Sequence, residues 1–236
     1  PDYDDAWLLA LSREARKVFD IGCNIGQAAL IMLHANQIKE ILLIDPDPEA
    51  LSKAAQNLIH NHPSQQARFV CAFVSDKEDQ RVNFYSIARG AASSMYASHA
   101  VTASSIGVKK QVITTTIDHL VDQYSILPDL VKIDTEGAER LVLQGATQLA
   151  KRKVTRFFVE MHSNPELSMH NNAQAILEWC RQVGYRAWYL KEKIELTSPE
   201  TISHRGRCHL LLLPIHEEFP EILRNIKQGA PPQEIN

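Results

Sequence analysis

Short apolar runs alternate with stretches of helical periodicity along this sequence, and that alternation is the feature that most limits the possible folds. The runs read KVFDI, EILLID, RFVCAFV, DLVKID, RFFVEM, AWYLK and HLLLLPI. Several are apolar at consecutive positions, which is typical of strands that are covered on both faces. Helical patterns lie between them, and Asp47 and Pro48 suit the start of one such helix. The order of strands and helices predicts the α/β class, with a largely parallel sheet and helices on both faces.

The length of the chain indicates a single domain, because 236 residues are enough for one sizeable core and few for two ordinary domains. We expect this domain over residues 1–229, followed by a poorly packed tail over residues 230–236. The alternation breaks over residues 81–119, where VNFYSI and KKQVITTTI read as extra strands around a small, polar segment. This insertion predicts a lid or a substrate loop.

Composition and charge exclude several classes of protein. Hydrophobic residues make up 44% and charged residues 22% of the chain, as in an ordinary globular domain. The formal net charge is −3 and the basic residues are scattered, so we expect no nucleic-acid partner. No apolar run approaches the roughly 20 residues that span a bilayer, so we expect no membrane partner. Four cysteines lie far apart without a C-x-x-C pair, which favours free thiols and a cytoplasmic location.

The turn after the first predicted strand reads GCNIG and indicates the floor of a ligand site. Gly22 and Gly26 suit such a turn, but a dinucleotide-binding loop needs a further glycine where Asn24 stands. Asp20, at the end of the strand, would repel a pyrophosphate and attract an ammonium group. We therefore expect this loop to bind a ligand that carries an amino group.

A second acid, Asp45, ends the next predicted strand, where a carboxylate can accept hydrogen bonds from both hydroxyls of a ribose. Pro46 follows and offers an apolar edge to an adenine. An amino acid joined to adenosine describes S-adenosylmethionine, which we therefore expect as the cofactor. The structural alternative is that Asp20 and Asp45 only cap helices.

Four further ionisable residues follow two neighbouring buried strands: Asp134, Glu136, Glu160 and His162. Side-chain alternation along parallel strands predicts that they converge at one edge of the sheet. Lys132 lies inside one of these strands, and a buried charge needs a partner, for which Glu160 is the predicted one. A carboxylate or His162 would take the proton from a substrate hydroxyl as its oxygen attacks the sulfonium methyl group, and an ordinary imidazole pKa suits that role at neutral pH.

Two other interpretations of these residues stay open. His162 can be a strand-end histidine with a purely structural partner, and the acids can be helix caps. Asp134, Glu160 and His162 also offer oxygen and nitrogen ligands to a divalent metal ion. Their spacing along the chain gives no tighter support for a metal, so we expect none.

These residues resemble the FkbM family of S-adenosylmethionine-dependent methyltransferases from about Val18 to His162. KIDTEGAERLVLQGA is similar to that family's K-I-D-x-E-G-A-E-x-x-V-L-x-G, and FDIGCNIG is similar to its D-x-G-x-N-x-G. The resemblance implies a Rossmann-like class I methyltransferase fold, whose seven-stranded, mostly parallel sheet has an antiparallel last strand. CHLLLLPI is suited to be that strand. The positions that match the family's cofactor site are Asp20, Gly22, Asn24, Gly26, Asp45 and Pro46.

The segment FYSIARGAASSM is also similar to that family's aromatic strand and small-residue GGSS loop, with Ser93 and Ser94 at the serines and Ala91 and Ala92 in place of the glycines. The resemblance implies O-methylation of a hydroxyl on a small metabolite, a sugar or glycolipid, or a polyketide-type natural product. A non-catalytic module that binds S-adenosylmethionine is one alternative. An NAD-dependent oxidoreductase is another, which the missing glycine and Asp20 oppose. Methylation of a nucleobase amino group would require Pro-Pro and an aromatic residue where DTEG stands.

Overall fold

The computed structural model describes residues 5–62, 64–85, 109–163 and 166–231. Its strands are β1 (Lys17–Ile21), β2 (Glu40–Ile44), β3 (Gln66–Val70), β4 (Phe73–Val74), β5 (Arg81–Tyr85), β6 (Lys109–Thr115), β7 (Leu130–Ile133), β8 (Arg156–His162), β9 (Tyr185–Tyr189), β10 (Ile194–Glu195) and β11 (Arg207–Pro214). Its helices are α1 (Asp5–Ser12), α2 (Gln27–Leu33), α3 (Pro48–Asn61), α4 (Ile117–Tyr124), α5 (Glu139–Gln144), α6 (Thr147–Lys151) and α7 (Met169–Val183). Among the described residues, no helix has the length and apolar character needed to cross a bilayer.

The main sheet has the strand order β10-β9-β11-β8-β7-β1-β2-β3. Pairing is parallel from β8 through β7, β1 and β2 to β3, whereas β11 runs antiparallel to both β8 and β9. The mostly parallel sheet and its antiparallel strand CHLLLLPI are thereby confirmed. The predicted count of seven strands was wrong by one, because the two residues of β10 turn back and pair with β9.

A smaller sheet has the order β4-β6-β5 and contains both strands predicted for the insertion. The run RFVCAFV, read as one strand, is divided between β3 and β4, so that Phe73 and Val74 pair with β6 rather than with the main sheet. The predicted lid and the matched serines fall within residues 86–108, which lie outside the described residues. The one-domain organisation over residues 1–229 stays a prediction.

Helices cover both faces of the main sheet and divide the core into two layers. One layer packs α4, α5, α6 and α7 against side chains such as Phe19 and Phe157. The other packs α1, α2 and α3 against Val18 and Leu211. Because successive side chains of a strand point to opposite faces, Asp20 shares the face of Val18. A carboxylate therefore lies inside the second apolar layer.

The predicted start of α3 is confirmed: the Asp47 side chain accepts a hydrogen bond from the Glu49 amide at 3.0 Å, and Pro48 occupies the first turn. A proline there loses no hydrogen bond, since the first amides of a helix have no partner within it. The cap fixes where the chain leaves β2, directly after Asp45. The end of β2 and the start of α3 are thus held together beside the turn after β1.

At Gly22, directly after β1, the backbone passes close to that of Asp134, directly after β7. Its φ of +75° is a backbone conformation that favours glycine, and a Cβ atom there would lie 1.8 Å from the carbonyl oxygen of Asp134. The Gly22 amide donates to the carbonyl of Ile44 at 2.9 Å, which connects the same turn to β2. The glycine therefore lets three strand ends meet at one point.

We expect Gly22→Ala to lower the free energy of unfolding by about 3 kcal/mol, because the methyl group must displace the backbone at Asp134. Gly206→Ala is the matched control, since Gly206 is exposed and a Cβ there meets no atom within 4 Å. Chemical denaturation of both variants measures the difference. A wild-type midpoint for Gly22→Ala would contradict the close approach of the strands.

Candidate active site

Asp45 connects the ends of β1 and β2 through its carboxylate. One oxygen accepts the Asn24 amide at 2.9 Å, and the other accepts the Asp47 amide at 2.8 Å. Burial raises the pKa of Asp45 to about 6, although the two backbone hydrogen bonds oppose the shift. Asn24 itself has a left-handed backbone, with φ at +47°. Asp45, the residue predicted to bind the ribose, therefore also helps to fix the conformation of the predicted cofactor loop.

A cleft opens at the carboxyl ends of β1, β2 and β7, and we name it the first cleft. Its described lining includes Gly22, Asn24, Asp45, Pro46, Phe73 and Phe84. The last two residues were not predicted, and their rings lie 6.1 Å apart at an angle of 58°. The cleft thus joins a hydrogen-bonding carboxylate to an apolar wall.

Asp20 is fully buried and lies opposite Lys132 in the pairing of β1 with β7. The Lys132 ammonium is 3.4 Å from a carboxylate oxygen of Asp20, 3.2 Å from one of Asp134, and 3.4 Å from the carbonyl oxygen of Gly22. The structure thus gives Lys132 these two carboxylates where Glu160 was predicted. It also places the protein's own ammonium group beside Asp20, where a ligand's was expected.

The four predicted catalytic residues meet around the imidazole of His162. Its Nε2 is 3.5 Å from an oxygen of Glu136, 3.5 Å from one of Glu160 and 4.0 Å from one of Asp134. These residues come from the end of β8 and from the loop after β7, in which Glu136 has a left-handed backbone with φ at +51°. The convergence expected from strand alternation is present.

Sequence reasoning missed Glu139, the first residue of α5, which is fully buried. One of its oxygens lies 3.0 Å from Nδ1 of His162 and also accepts the Gly137 amide at 2.8 Å. The other oxygen accepts a hydrogen bond from the Asn172 side chain at 3.1 Å. The second glutamate of the motif EGAE was the available signal, but an acid in the first turn of a helix is more simply read as a cap.

Carboxylates on both sides change the acid–base behaviour of His162. Burial lowers its pKa, but hydrogen bonds to Glu139 and Glu160 outweigh burial and raise the pKa to about 11. The ordinary imidazole pKa on which its role was predicted therefore does not apply. Glu160 is buried as well, yet contacts with His162 and His209 hold its pKa well below the usual range, and Arg207 lies 3.0 Å away.

A second cleft lies on the other side of the loop after β1, under α1 and α2. Its described lining includes Asp5, Gln27, Lys132, Asp134, Glu160 and Arg207. Gly22, Asn24 and Asp134 line both clefts. Asp134 is the ionisable residue among these three shared lining residues. Its side chain is 27% exposed. His162 lines neither cleft among the described residues.

A model of the family described as Methyltransferase FkbM domain matches residues 20–187. The chain belongs to the FkbM methyltransferase family. The match includes the loop after β1, the end of β2 and the charged cluster at β7 and β8, so the family resemblance drawn from the motifs is confirmed. No curated protein matches the sequence.

Solved structures share the fold of this FkbM domain at low sequence identity. The FkbM methyltransferase from Methylobacillus flagellatus KT has 14% identity and a TM-score of 0.53, over 84% of this chain and 44% of that one. A putative rRNA methylase from Clostridium thermocellum has 8% identity and a TM-score of 0.52, over 89% of this chain and 94% of that one. An rRNA methylase from Streptococcus thermophilus has 10% identity and a TM-score of 0.50, over 88% of this chain and 93% of that one.

These likenesses confirm the Rossmann-like methyltransferase fold. The chain spans less than half the length of the Methylobacillus flagellatus FkbM structure. Because two of the neighbours are named as rRNA methylases, the fold does not support the expectation of no nucleic-acid partner.

Asp20 and Lys132 form a buried ion pair between β1 and β7. We expect Asp20→Asn to lower the free energy of unfolding by about 3 kcal/mol, because removing one partner leaves a buried ammonium with less compensating charge. Glu40→Gln is the control, since Glu40 pairs at 3.5 and 3.6 Å with the half-exposed Lys17 and Arg68 and should cost about 0.5 kcal/mol. Equal losses in the two variants, measured by denaturant unfolding, would contradict this account of Asp20.

Proposed function

We propose that this FkbM domain is an S-adenosylmethionine-dependent O-methyltransferase that binds its cofactor in the first cleft. The observation that carries the proposal is the position of Asp45. Its carboxylate lies at the end of β2, is 7% exposed, and stands beside Pro46 and the apolar side of the cleft. A ribose would bind the carboxylate while the adenine packs against Phe73 and Phe84.

The residues present fit this cofactor. A carboxylate offers about four acceptor sites, and the two hydrogen bonds from Asn24 and Asp47 leave capacity for ribose hydroxyls. Asp134 and Glu136 also line the first cleft, and their negative charge favours the sulfonium and ammonium groups of S-adenosylmethionine. Asp20 supports the site indirectly, because it holds Lys132 against the carbonyl oxygen of Gly22. When bound, the cofactor supplies an electrophilic methyl group.

Asp134 is the side chain that we propose as the general base. It borders both clefts, so an acceptor hydroxyl in the second cleft can lie between its carboxylate and the methyl group. As the acceptor oxygen forms its bond to the methyl carbon, the sulfur–carbon bond breaks and the hydroxyl proton passes to Asp134. His162 is a poorer candidate because carboxylates face both of its ring nitrogens.

The lining of the second cleft favours a polyhydroxylated acceptor, such as a sugar or another small hydroxylated metabolite. Asp5, Gln27 and Arg207 offer donors and acceptors in a mostly polar wall. A net charge of −3 and acids in both clefts oppose a polyanion such as RNA, so we propose no nucleic-acid acceptor. The four cysteines are free thiols, which fits a reducing, cytoplasmic compartment.

Calorimetric titration with S-adenosylmethionine tests the cofactor. We expect binding by the wild type that Asp45→Ala weakens about tenfold or more, which corresponds to about 1.4 kcal/mol. The carboxylate is the form that accepts the ribose hydroxyls, and its pKa is about 6, so affinity should be full above pH 6 and fall as the pH drops below it. Asp122→Ala is the control, because the side chain of Asp122 is 79% exposed on α4. Binding of NADH but not of S-adenosylmethionine would instead support an oxidoreductase.

Methyl transfer to a panel of sugars, polyketides and RNA tests the reaction. We expect Asp134→Asn to lower kcat about 100-fold while changing cofactor affinity far less, because a lost general base acts in the transition state. Glu136→Gln is the comparison, since Glu136 lines only the first cleft among the described lining residues. A larger loss with Glu136→Gln would move the base there. Transfer to RNA alone would overturn the acceptor class, and cofactor binding without transfer would favour a non-catalytic module.

A further inference from the structure

The cluster at the ends of β7 and β8 contains a donor set that the transfer chemistry alone does not require. One ligand atom from each of Asp134, Glu160 and His162 lies within 4.8 Å of the others. Two carboxylates and one imidazole form a mixed oxygen and nitrogen set of the kind that binds divalent metal ions. Glu160 and His162 are buried, so the set is not a chance grouping of surface acids.

His162 is oriented as a metal-binding histidine would be. Its Nδ1 lies 3.0 Å from Glu139, which is itself held by Asn172 and by the Gly137 amide. A carboxylate at one ring nitrogen typically fixes the orientation of a histidine whose other nitrogen binds a metal. Here the other nitrogen, Nε2, points toward the carboxylates of Asp134, Glu136 and Glu160.

The distances around Nε2 leave room for an ion. The three carboxylate oxygens lie 3.5 to 4.0 Å away, so the hydrogen bond to Glu160, at 3.5 Å, is long compared with the usual ~2.9 Å. The second cleft, which Asp134 and Glu160 line, provides a path from solvent and space for water ligands. The carboxylates therefore converge on Nε2 at distances that a bound ion could bridge.

Charge favours a cation at the same place. Four carboxylates lie within 4.0 Å of the imidazole: Asp134, Glu136, Glu139 and Glu160. Among the described residues, the cations beside these carboxylates include Lys132 at Asp134, which also serves Asp20, Arg207 at Glu160, and the imidazolium of His162 itself, whose pKa is raised to about 11. A divalent cation at Nε2 would displace the His162 proton and bring a larger positive charge to the same four carboxylates.

We propose that Asp134, Glu160 and His162 form a divalent-cation site, with Glu139 as the positioning residue of His162. The donor set fits Mn²⁺, which accepts both carboxylate oxygen and imidazole nitrogen, better than Ca²⁺, which prefers oxygen ligands alone. The role of the ion rests on the proposed function. At the border of the two clefts, it would bind the acceptor hydroxyl and lower the pKa of that group, while an Asp134 oxygen not bound to the ion takes the proton.

Titration of the metal-stripped chain with MnCl₂, followed by the electron paramagnetic resonance of free Mn²⁺, tests the site. We expect one Mn²⁺ per chain and an affinity that His162→Ala and Glu160→Gln each lower about 100-fold. Ca²⁺ at the same concentration should bind about tenfold more weakly or worse. His170→Ala is the matched control, because His170 forms an exposed pair with Glu200 at 3.1 Å and should leave the affinity unchanged.

Thermal unfolding checks that each variant is folded. If His162→Ala and Glu160→Gln do not fold, Asp134→Asn, at a less buried position, provides a third variant. Wild-type protein that binds no Mn²⁺, or variants that bind it as the wild type does, would overturn the site. Equal binding of Ca²⁺ would overturn the assigned role of His162.

Calorimetry with S-adenosylmethionine on the same metal-stripped protein separates the two proposals. If the protein binds S-adenosylmethionine but not Mn²⁺, this inference alone is overturned. If it binds Mn²⁺ but not S-adenosylmethionine, the proposed function alone is overturned.

Discussion

The ammonium group of Lys132 is the interaction on which the charged end of the sheet depends. It lies between the carboxylates of Asp20 on β1 and Asp134 after β7 and also contacts the carbonyl of Gly22. Without it, the fully buried Asp20 would face an apolar layer of side chains. The same group holds Asp134 near the border of the two clefts. One buried lysine thereby joins the cofactor loop to the proposed catalytic cluster.

Much of the architecture follows from local signals. Apolar runs such as that of β2 and β7 identify buried parallel strands, and acids placed directly after them identify the edge at which a site forms. Asp45 and Asp134 were found in this way because strand ends are read from neighbouring residues. The two residues of β10 are too few to carry a periodic pattern, so the sequence does not indicate this strand. The apolar residues of RFVCAFV continue through the bend at Ala72, so the sequence indicates one strand where the structure has two.

The rest of the site depends on contacts between distant segments. Glu139 reads as a helix cap in the sequence, and only the packing of α5 against β8 and α7 makes it the partner of His162. The raised pKa of His162 is a consequence of that approach. The second cleft likewise requires α1 to lie over the loop after β1, which no local pattern indicates. The partner of Asp20 also depends on strand pairing, because the pairing of β1 with β7 brings Lys132 to Asp20, where the sequence predicted the ammonium group of a ligand.

The two hydrogen bonds that Asp45 accepts have a consequence for the energetics of ligand binding. One of them fixes the backbone of Asn24, in the loop after β1, in a left-handed conformation that asparagine adopts more readily than most other non-glycine residues. The loop is therefore already ordered before any ligand arrives, and little conformational entropy remains to be lost on association. Affinity in the first cleft should then depend mainly on direct contacts, and the rate of association should not be limited by rearrangement of this loop.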